Sequence, residues 1–337
     1  MKILVVRFRR VGDAVLSMSL VHSLARSFPA PQGEIHFVIN RAIAPLFEGH
    51  PDIGRVIPFS EEDCHGLRYV RKVWSLCHAE RYDAIIDMRS TLKTSLFALF
   101  SPGARYRIGR RKPYTLGLHN YRIPLDKKED RLVSNLGLLA PLEKEGHIVR
   151  DLNFPLHITP AEREAYAAYL RRSGLDLARP VVLCAVTTRI PGKAWRADRM
   201  AAVLGRFIET HPDAQLVFNY SGAAEAADAR ALHALMGHDR HVLIDIEARD
   251  LRQLCCLCLF STLYFGNEGG VRHIAQSLNT PSLAIYPPYV DMRVWLPGSS
   301  PDHCGLTGAT MDDISVEQVS NALEASYARA MARRQRV

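Results

Sequence analysis

Short apolar runs rich in β-branched residues recur along this chain, each followed by a stretch with helical spacing, and the alternation starts afresh half-way along. Lys2–Val6 (KILVV) reads as a buried strand. Ala14–Phe28 reads as a helix with Val15, Leu16, Leu20 and Leu24 near one face, and Glu34–Ile39 as a second strand. Gly54–Pro58 (strand), Leu67–His78 (helix), Tyr82–Asp87 (strand) and Leu92–Leu99 (apolar helix) continue the series. A second series opens with strand Pro180–Val186. It runs through helix Ala197–Thr210, strand Gln215–Asn219, helix Ala223–Met236, strand His241–Ile244, helix Arg249–Leu257, strand Thr262–Phe265, helix Val271–Leu278 and strand Ser282–Tyr286. A helix over Ile314–Arg334 closes the chain. Strands that alternate with helices build parallel sheets from βαβ units, and 337 residues suit two such domains. The Pro-bearing segment Leu152–Arg179 divides the series, giving domains 1–155 and 156–313, with 314–337 as the closing helix.

Composition removes several classes. Apolar residues make up 47% and charged residues 23%, which is globular and not disordered. The longest uncharged stretches are Gln253–Asn267 and His273–Val290; three prolines interrupt the second, and neither reads as a membrane span. Ile3–Val6 is too short for the apolar core of a signal peptide, so a cytoplasmic location is expected. Of the seven cysteines, Cys255, Cys256 and Cys258 sit together in an apolar run and read as small buried hydrophobes in a reducing compartment. The net charge of +8 is uneven: residues 1–150 carry +9 and residues 151–337 carry −1. The first half therefore suits an anionic partner: nucleic acid, a phosphorylated sugar or an anionic membrane face.

Three loops follow strands and carry the candidate chemistry. The first, Arg7–Asp13, holds a single glycine, so the G-x-G-x-x-G of a dinucleotide site and the Walker A loop are both absent. Gly12-Asp13 sits where open α/β sheets bind ligands, although Asp13 equally fits a helix cap. The second loop, Thr187-Thr188-Arg189-Ile190-Pro191-Gly192-Lys193-Ala194-Trp195, offers hydroxyls, a glycine and a lysine to phosphate oxygens, or is simply polar and solvated. In the third, Gly269-Gly270 opens the backbone just where a helix start aims free N–H groups, which suits a diphosphate; Glu268 as a cap and His273 as a packed side chain are the plainer reading.

Together these loops resemble glycosyltransferase family nine, the heptosyltransferases of the bacterial lipopolysaccharide inner core. The opening KILVVRFRRVGDAVLSMSLVHSLARSFP, ARYRIG (Ala104–Gly109), TTRIPGKAW, SGAAE (Ser221–Glu225) and NEGGVRHIAQSLNTPSLAIYPP occur in family order along nearly the whole chain. The last resembles the signature D-[ST]-G-x-x-H-x-A-x-x-L-x-x-P, with Glu268 in place of Asp and Gly269 in place of the hydroxyl residue. The resemblance implies the α/β GT-B fold, in which two Rossmann-like domains face a central cleft and the closing helix packs back on the first domain.

It also implies roles. Asp13 is expected as the general base and Lys193 as the holder of the donor phosphates. Thr187, Thr188, Glu225, Glu268, Gly269, Gly270 and His273 are expected to bind the donor, and Arg9, Arg10, Arg105, Arg107 and Arg110 the acceptor. The implied reaction is an inverting transfer of a heptose, or a related sugar, from an ADP-linked donor to a phosphorylated, Kdo-bearing lipid A core. Peripheral contact with the inner membrane is expected. No D-x-D occurs, so neither a metal nor a cofactor is expected. Two alternatives stand beside this reading: a GT-B-like nucleotide-sugar epimerase, and a weakly catalytic protein that binds anionic ligands. Nucleic acid is not expected as a partner, because no aromatic stacking motif accompanies the basic run Arg105–Lys112.

Overall fold

The computed structural model describes residues 1–190, 192–298 and 300–335. The chain divides into two compact units, Met1–His157 and Ile158–Val337.

The first unit is a six-stranded, all-parallel sheet. Its strands are β1 (Lys2–Val6), β2 (Glu34–Asn40), β3 (Arg55–Phe59), β4 (Ala84–Asp87), β5 (Tyr106–Arg110) and β6 (Tyr121–Ile123), in the order β3-β2-β1-β4-β5-β6. This is the Rossmann order, with its topological switch between β1 and β4. Ile3, Leu4, Val5 and Val6 are fully buried, as a central parallel strand covered on both faces requires. The stretch read as one helix over Ala14–Phe28 is two, α1 (Val11–Leu16) and α2 (Met18–Ser27). Ser17 joins them and turns its hydroxyl back onto the Ala14 carbonyl at 2.5 Å. Helix α3 spans Gly66–Glu80, while the expected helix over Leu92–Leu99 contracts to α4 (Leu96–Leu99). The contraction has a local cause: Thr91 and Thr94 trade side-chain-to-backbone hydrogen bonds at 2.9 and 3.2 Å, a turn that competes with helix. Helix α5 (Arg131–Gly137) completes the unit, capped by Asp130.

The second unit repeats the plan. After α6 (Pro160–Arg172) come β7 (Val181–Ala185), α7 (Ala197–Thr210), β8 (Gln215–Phe218), α8 (Gly222–Leu235), β9 (Val242–Leu243), α9 (Leu251–Phe260), β10 (Leu263–Asn267), α10 (Gly270–Ser277), β11 (Ser282–Ile285), α11 (Met292–Trp295), β12 (His303–Leu306) and α12 (Val316–Arg334). The strand order β12-β11-β10-β7-β8-β9 places the switch between β7 and β10. Cys255, Cys256 and Cys258 are buried on α9, where burial raises all three thiols. Helix α12 begins with a capping box, Ser315 with Gln318. It packs on α7, β10 and β11 of its own unit through Val319, Leu323, Tyr327 and Ala330.

Candidate active site

In the first unit, β1 and β4 end side by side at the switch point, with Val6 in register with Asp87. The chain leaves β1 through two consecutive left-handed residues, Arg9 (φ 69°) and Arg10 (φ 47°). Such strain in non-glycine residues persists only where the surroundings enforce it, and it concentrates at functional sites. Here the Arg9 N–H donates to Asn40 Oδ1 at 2.5 Å, which holds the loop against the end of β2. Arg10, not Asp13, takes the N-cap position of α1. Asp13 instead pairs with Arg7, and both side chains are largely buried, at 18% and 13% exposure. Burial pulls the Arg7 guanidinium below its usual range, Asp13 opposes that shift, and the charges of Arg89 and Arg131 add to it. Arg89 donates to the Phe8 carbonyl at 3.3 Å, so the β4 end braces the same loop.

The expected acceptor arginines do not share one place. Arg9 and Arg10 are exposed beside Asp13. Arg105 lies just before β5, at the opposite edge of the sheet, and pairs with Glu145 at 2.6 Å. Arg107 sits within β5 in register with Ile85. Arg110 is at the correct edge but only 4% exposed; it donates to the Ser134 carbonyl (2.6 Å), the Ser134 hydroxyl (3.0 Å) and the Pro124 carbonyl (3.3 Å). Its guanidinium fastens the carboxyl edge internally.

In the second unit the β7 loop and the β10 end meet at the switch. Asn267 joins them: its amide donates to the carbonyls of Ala185 and Val186, both at 3.1 Å, and its oxygen accepts from the Trp195 N–H at 2.8 Å. Trp195 is buried and donates its indole N–H to the Ile314 carbonyl at 3.2 Å. These bonds fix the segment that carries Lys193; Pro191 of the loop lies outside the described residues. Lys193 pairs with Glu268, both sheltered at 12% and 8% exposure. His273 Nε2 faces Glu268 Oε1 across 4.0 Å. Gly269 precedes α10, and a Cβ added there would meet nothing within 4 Å, so the space beside the helix start is open. Gly266, within β10, is the opposite case: its φ is +136°, and a Cβ would lie 2.3 Å from the Ala185 carbonyl oxygen. Thr187 donates to Glu225 at 2.8 Å, and Arg189 reaches the same carboxylate at 3.3 Å and the Ser221 hydroxyl at 2.8 Å. Thr188 turns to the Ile190 carbonyl at 2.9 Å.

The structure thus gathers Lys193, Glu268, Gly269, Gly270 and His273 around one helix start, and Thr187 with Glu225 at the end of the neighbouring strands. Sequence reading gave Arg7, Asn267 and Arg189 no role of their own. Arg7 was legible as a charge that strand burial forces to find a partner. Asn267, a polar residue closing a wholly apolar strand, was the signal for the latch.

Known proteins carry the same plan. A glycosyltransferase family 9 structure from Veillonella parvula superposes with a TM-score of 0.82 at 19% identity, covering 97% of each chain. The ADP-heptose lps heptosyltransferase II of E. coli superposes at 0.76 with 23% identity, over 98% of this chain and 99% of that one. With these the two Rossmann-like sheets define a GT-B fold. In sequence, lipopolysaccharide heptosyltransferase 2 of Escherichia coli K12 is 26% identical over 299 residues, covering 86% of this chain and 83% of that protein. Residues 70–314 match glycosyltransferase family 9 (heptosyltransferase), and the chain belongs to that family. It is an enzyme, a glycosyltransferase.

Proposed function

We propose that this enzyme moves a heptose, or a closely related sugar, with inversion from an ADP-linked donor to a phosphorylated, Kdo-bearing lipid A core, at the cytoplasmic face of the inner membrane. The observation that carries the reading is the second-unit cluster. Lys193 supplies a sheltered cation, the start of α10 supplies free N–H groups and positive dipole, and Gly269 leaves the approach open. That is the chemistry a leaving diphosphate needs, and it stabilises charge as it develops. Glu225, beside Thr187, takes the ribose hydroxyls, and Glu268 the sugar or the lysine that serves it.

In this mechanism Asp13 accepts the proton of the acceptor hydroxyl. The hydroxyl oxygen forms the new bond to the anomeric carbon while the bond from that carbon to the diphosphate oxygen breaks, and ADP departs with the electron pair. Attack opposite the leaving group inverts the anomeric centre. Arg7 fixes the Asp13 carboxylate, and Arg9 and Arg10 meet acceptor anions beside it. Arg105, just before β5, is paired with Glu145, Arg107 lies within β5, and Arg110 is committed to Ser134.

A thermal-shift panel of ADP, UDP, GDP, CMP and ADP-heptose tests the reading. A ligand at about 100 times its Kd adds ~2.7 kcal/mol of stability. Selective stabilisation by ADP compounds, lost in Lys193→Ala, is expected. A selective response to another nucleotide would replace the donor, and silence toward all five would overturn the assignment.

A further inference from the structure

Arg272 is a fully buried guanidinium in the first turn of α10, and the mechanism above does not use it. Its hydrogen-bond partners among the described residues are Gln276, His273 and the Trp295 carbonyl, and none of them is a carboxylate. Nη1 donates to Gln276 Oε1 at 2.8 Å and Nη2 to the Trp295 carbonyl at 2.7 Å. Nη2 also lies 2.6 Å from His273 Nδ1, against 3.4 Å from Nε2. A guanidinium has only donors and does not give up its proton in proteins. The nearer imidazole nitrogen must therefore present a lone pair. A neutral imidazole that accepts at Nδ1 carries its proton on Nε2, the atom facing Glu268. A second proton on Nδ1 would set N–H against N–H and bring two buried cations into contact.

We propose that Arg272 is a positioning residue that holds His273 as a neutral imidazole with its proton on Nε2, so that His273 serves the departing diphosphate as a fixed hydrogen-bond donor and gives it no proton. The surroundings agree. Of the charged groups facing the ring, Arg272 and Lys193 are cations, and the one carboxylate, Glu268, is already paired with Lys193. Burial and those two cations hold His273 well below the usual imidazole range. The Trp295 ring closes one side, its centroid 6.3 Å from that of His273. The backbone of Trp295 and the side chain of Gln276 anchor Arg272, so the lock is carried by two elements, α10 and α11.

The role of the N–H in catalysis rests on the donor reading above; the tautomer does not. It is read on the ligand-free, full-length protein by ¹⁵N–¹H correlation of histidine side chains, with His273→Gln giving the assignment. From about pH 5 to pH 8, where an ordinary imidazole changes charge, His273 is expected to keep one set of shifts: neutral, proton on Nε2. In Arg272→Met the tautomers are expected to mix or the ring to titrate within that range. The kcat is expected to fall about 10- to 100-fold with donor KM nearly unchanged, and Arg272→Lys to restore the Nε2–H form. A wild-type His273 that is protonated near neutrality, or that carries its proton on Nδ1, overturns the proposal even if Arg272→Met does not fold. So does an Arg272→Met protein with unchanged tautomer and kcat. A thermal-shift panel silent to ADP compounds would strike the donor reading and leave this spectrum as it is.

Discussion

At the scale of single residues, the second unit is organised around charges that are sheltered and matched. Lys193 and Glu268 are each at least 88% covered, so removing one strands the other. Lys193→Met is expected to cost about 3–5 kcal/mol, and adding Glu268→Gln should recover most of it. For a domain of this size that is a loss of about 2–4 °C per kcal/mol in Tm, followed by a return. A merely exposed pair would move Tm by little in either variant. Activity should stay low in the double variant, because the neutral pair no longer offers a cation to phosphate. In the first unit, Asp13→Asn is expected to lower kcat by ~10²–10⁴-fold, the usual worth of a positioned base. ADP should still stabilise that variant to the wild-type extent, since the second-unit cluster is intact.

At the scale of elements, the two strand ends at each switch point do the positioning, and this is also where sequence was most and least readable. The central strands announced themselves: KILVV and PVVLCAV are apolar because both faces of a parallel strand are covered. β5 (YRIGR) and β6 (YRI) were not read as strands because arginines interrupt them, and what admits the arginines is context. Arg110, for instance, is tolerated because Ser134 and Pro124 supply acceptors from distant sequence. The loop residues of the second unit were legible from their types, but their latch through Asn267 was not, since it spans about 80 positions of chain. Two glycines separate backbone need from ligand access. Gly266→Ala forces a Cβ into the β7 backbone at a positive φ and is expected to cost on the order of 3 kcal/mol or more, seen as a lower urea midpoint at unchanged m. Gly269→Ala, extended and open, should change stability by under about 0.5 kcal/mol and leave that midpoint nearly in place. Helices α6 and α9 carry a pH-sensitive clasp: Arg252 donates two hydrogen bonds to Glu162, which also caps α6, and together they hold the Glu162 carboxyl down to about 2, against an ordinary 4.5. A depressed carboxyl contributes stability that is present above its unfolded value and lost as pH falls toward its folded one. Tm of the wild type should therefore drop more steeply than that of Glu162→Gln as pH is lowered from about 4.5 toward about 2.

At the scale of the whole chain, two sheets of identical strand order sit on halves of very different charge. Charge asymmetry was plain from the sequence, and so was the repeated alternation; the shared order β3-β2-β1-β4-β5-β6 was not, because strand order is decided by which edges pair and not by any one strand's composition. Each unit has its own switch point with its own candidate loop: Arg7–Asp13 beside the β4 end in one, and Lys193, Glu268 and His273 in the other. The residues assigned to the nucleotide sugar all lie within the second unit, between Thr187 and His273, and none must wait for the acceptor to be seated. On that proposed assignment the donor needs no acceptor in order to be held: ADP titrated into acceptor-free enzyme is expected to give the same Kd as in the presence of acceptor.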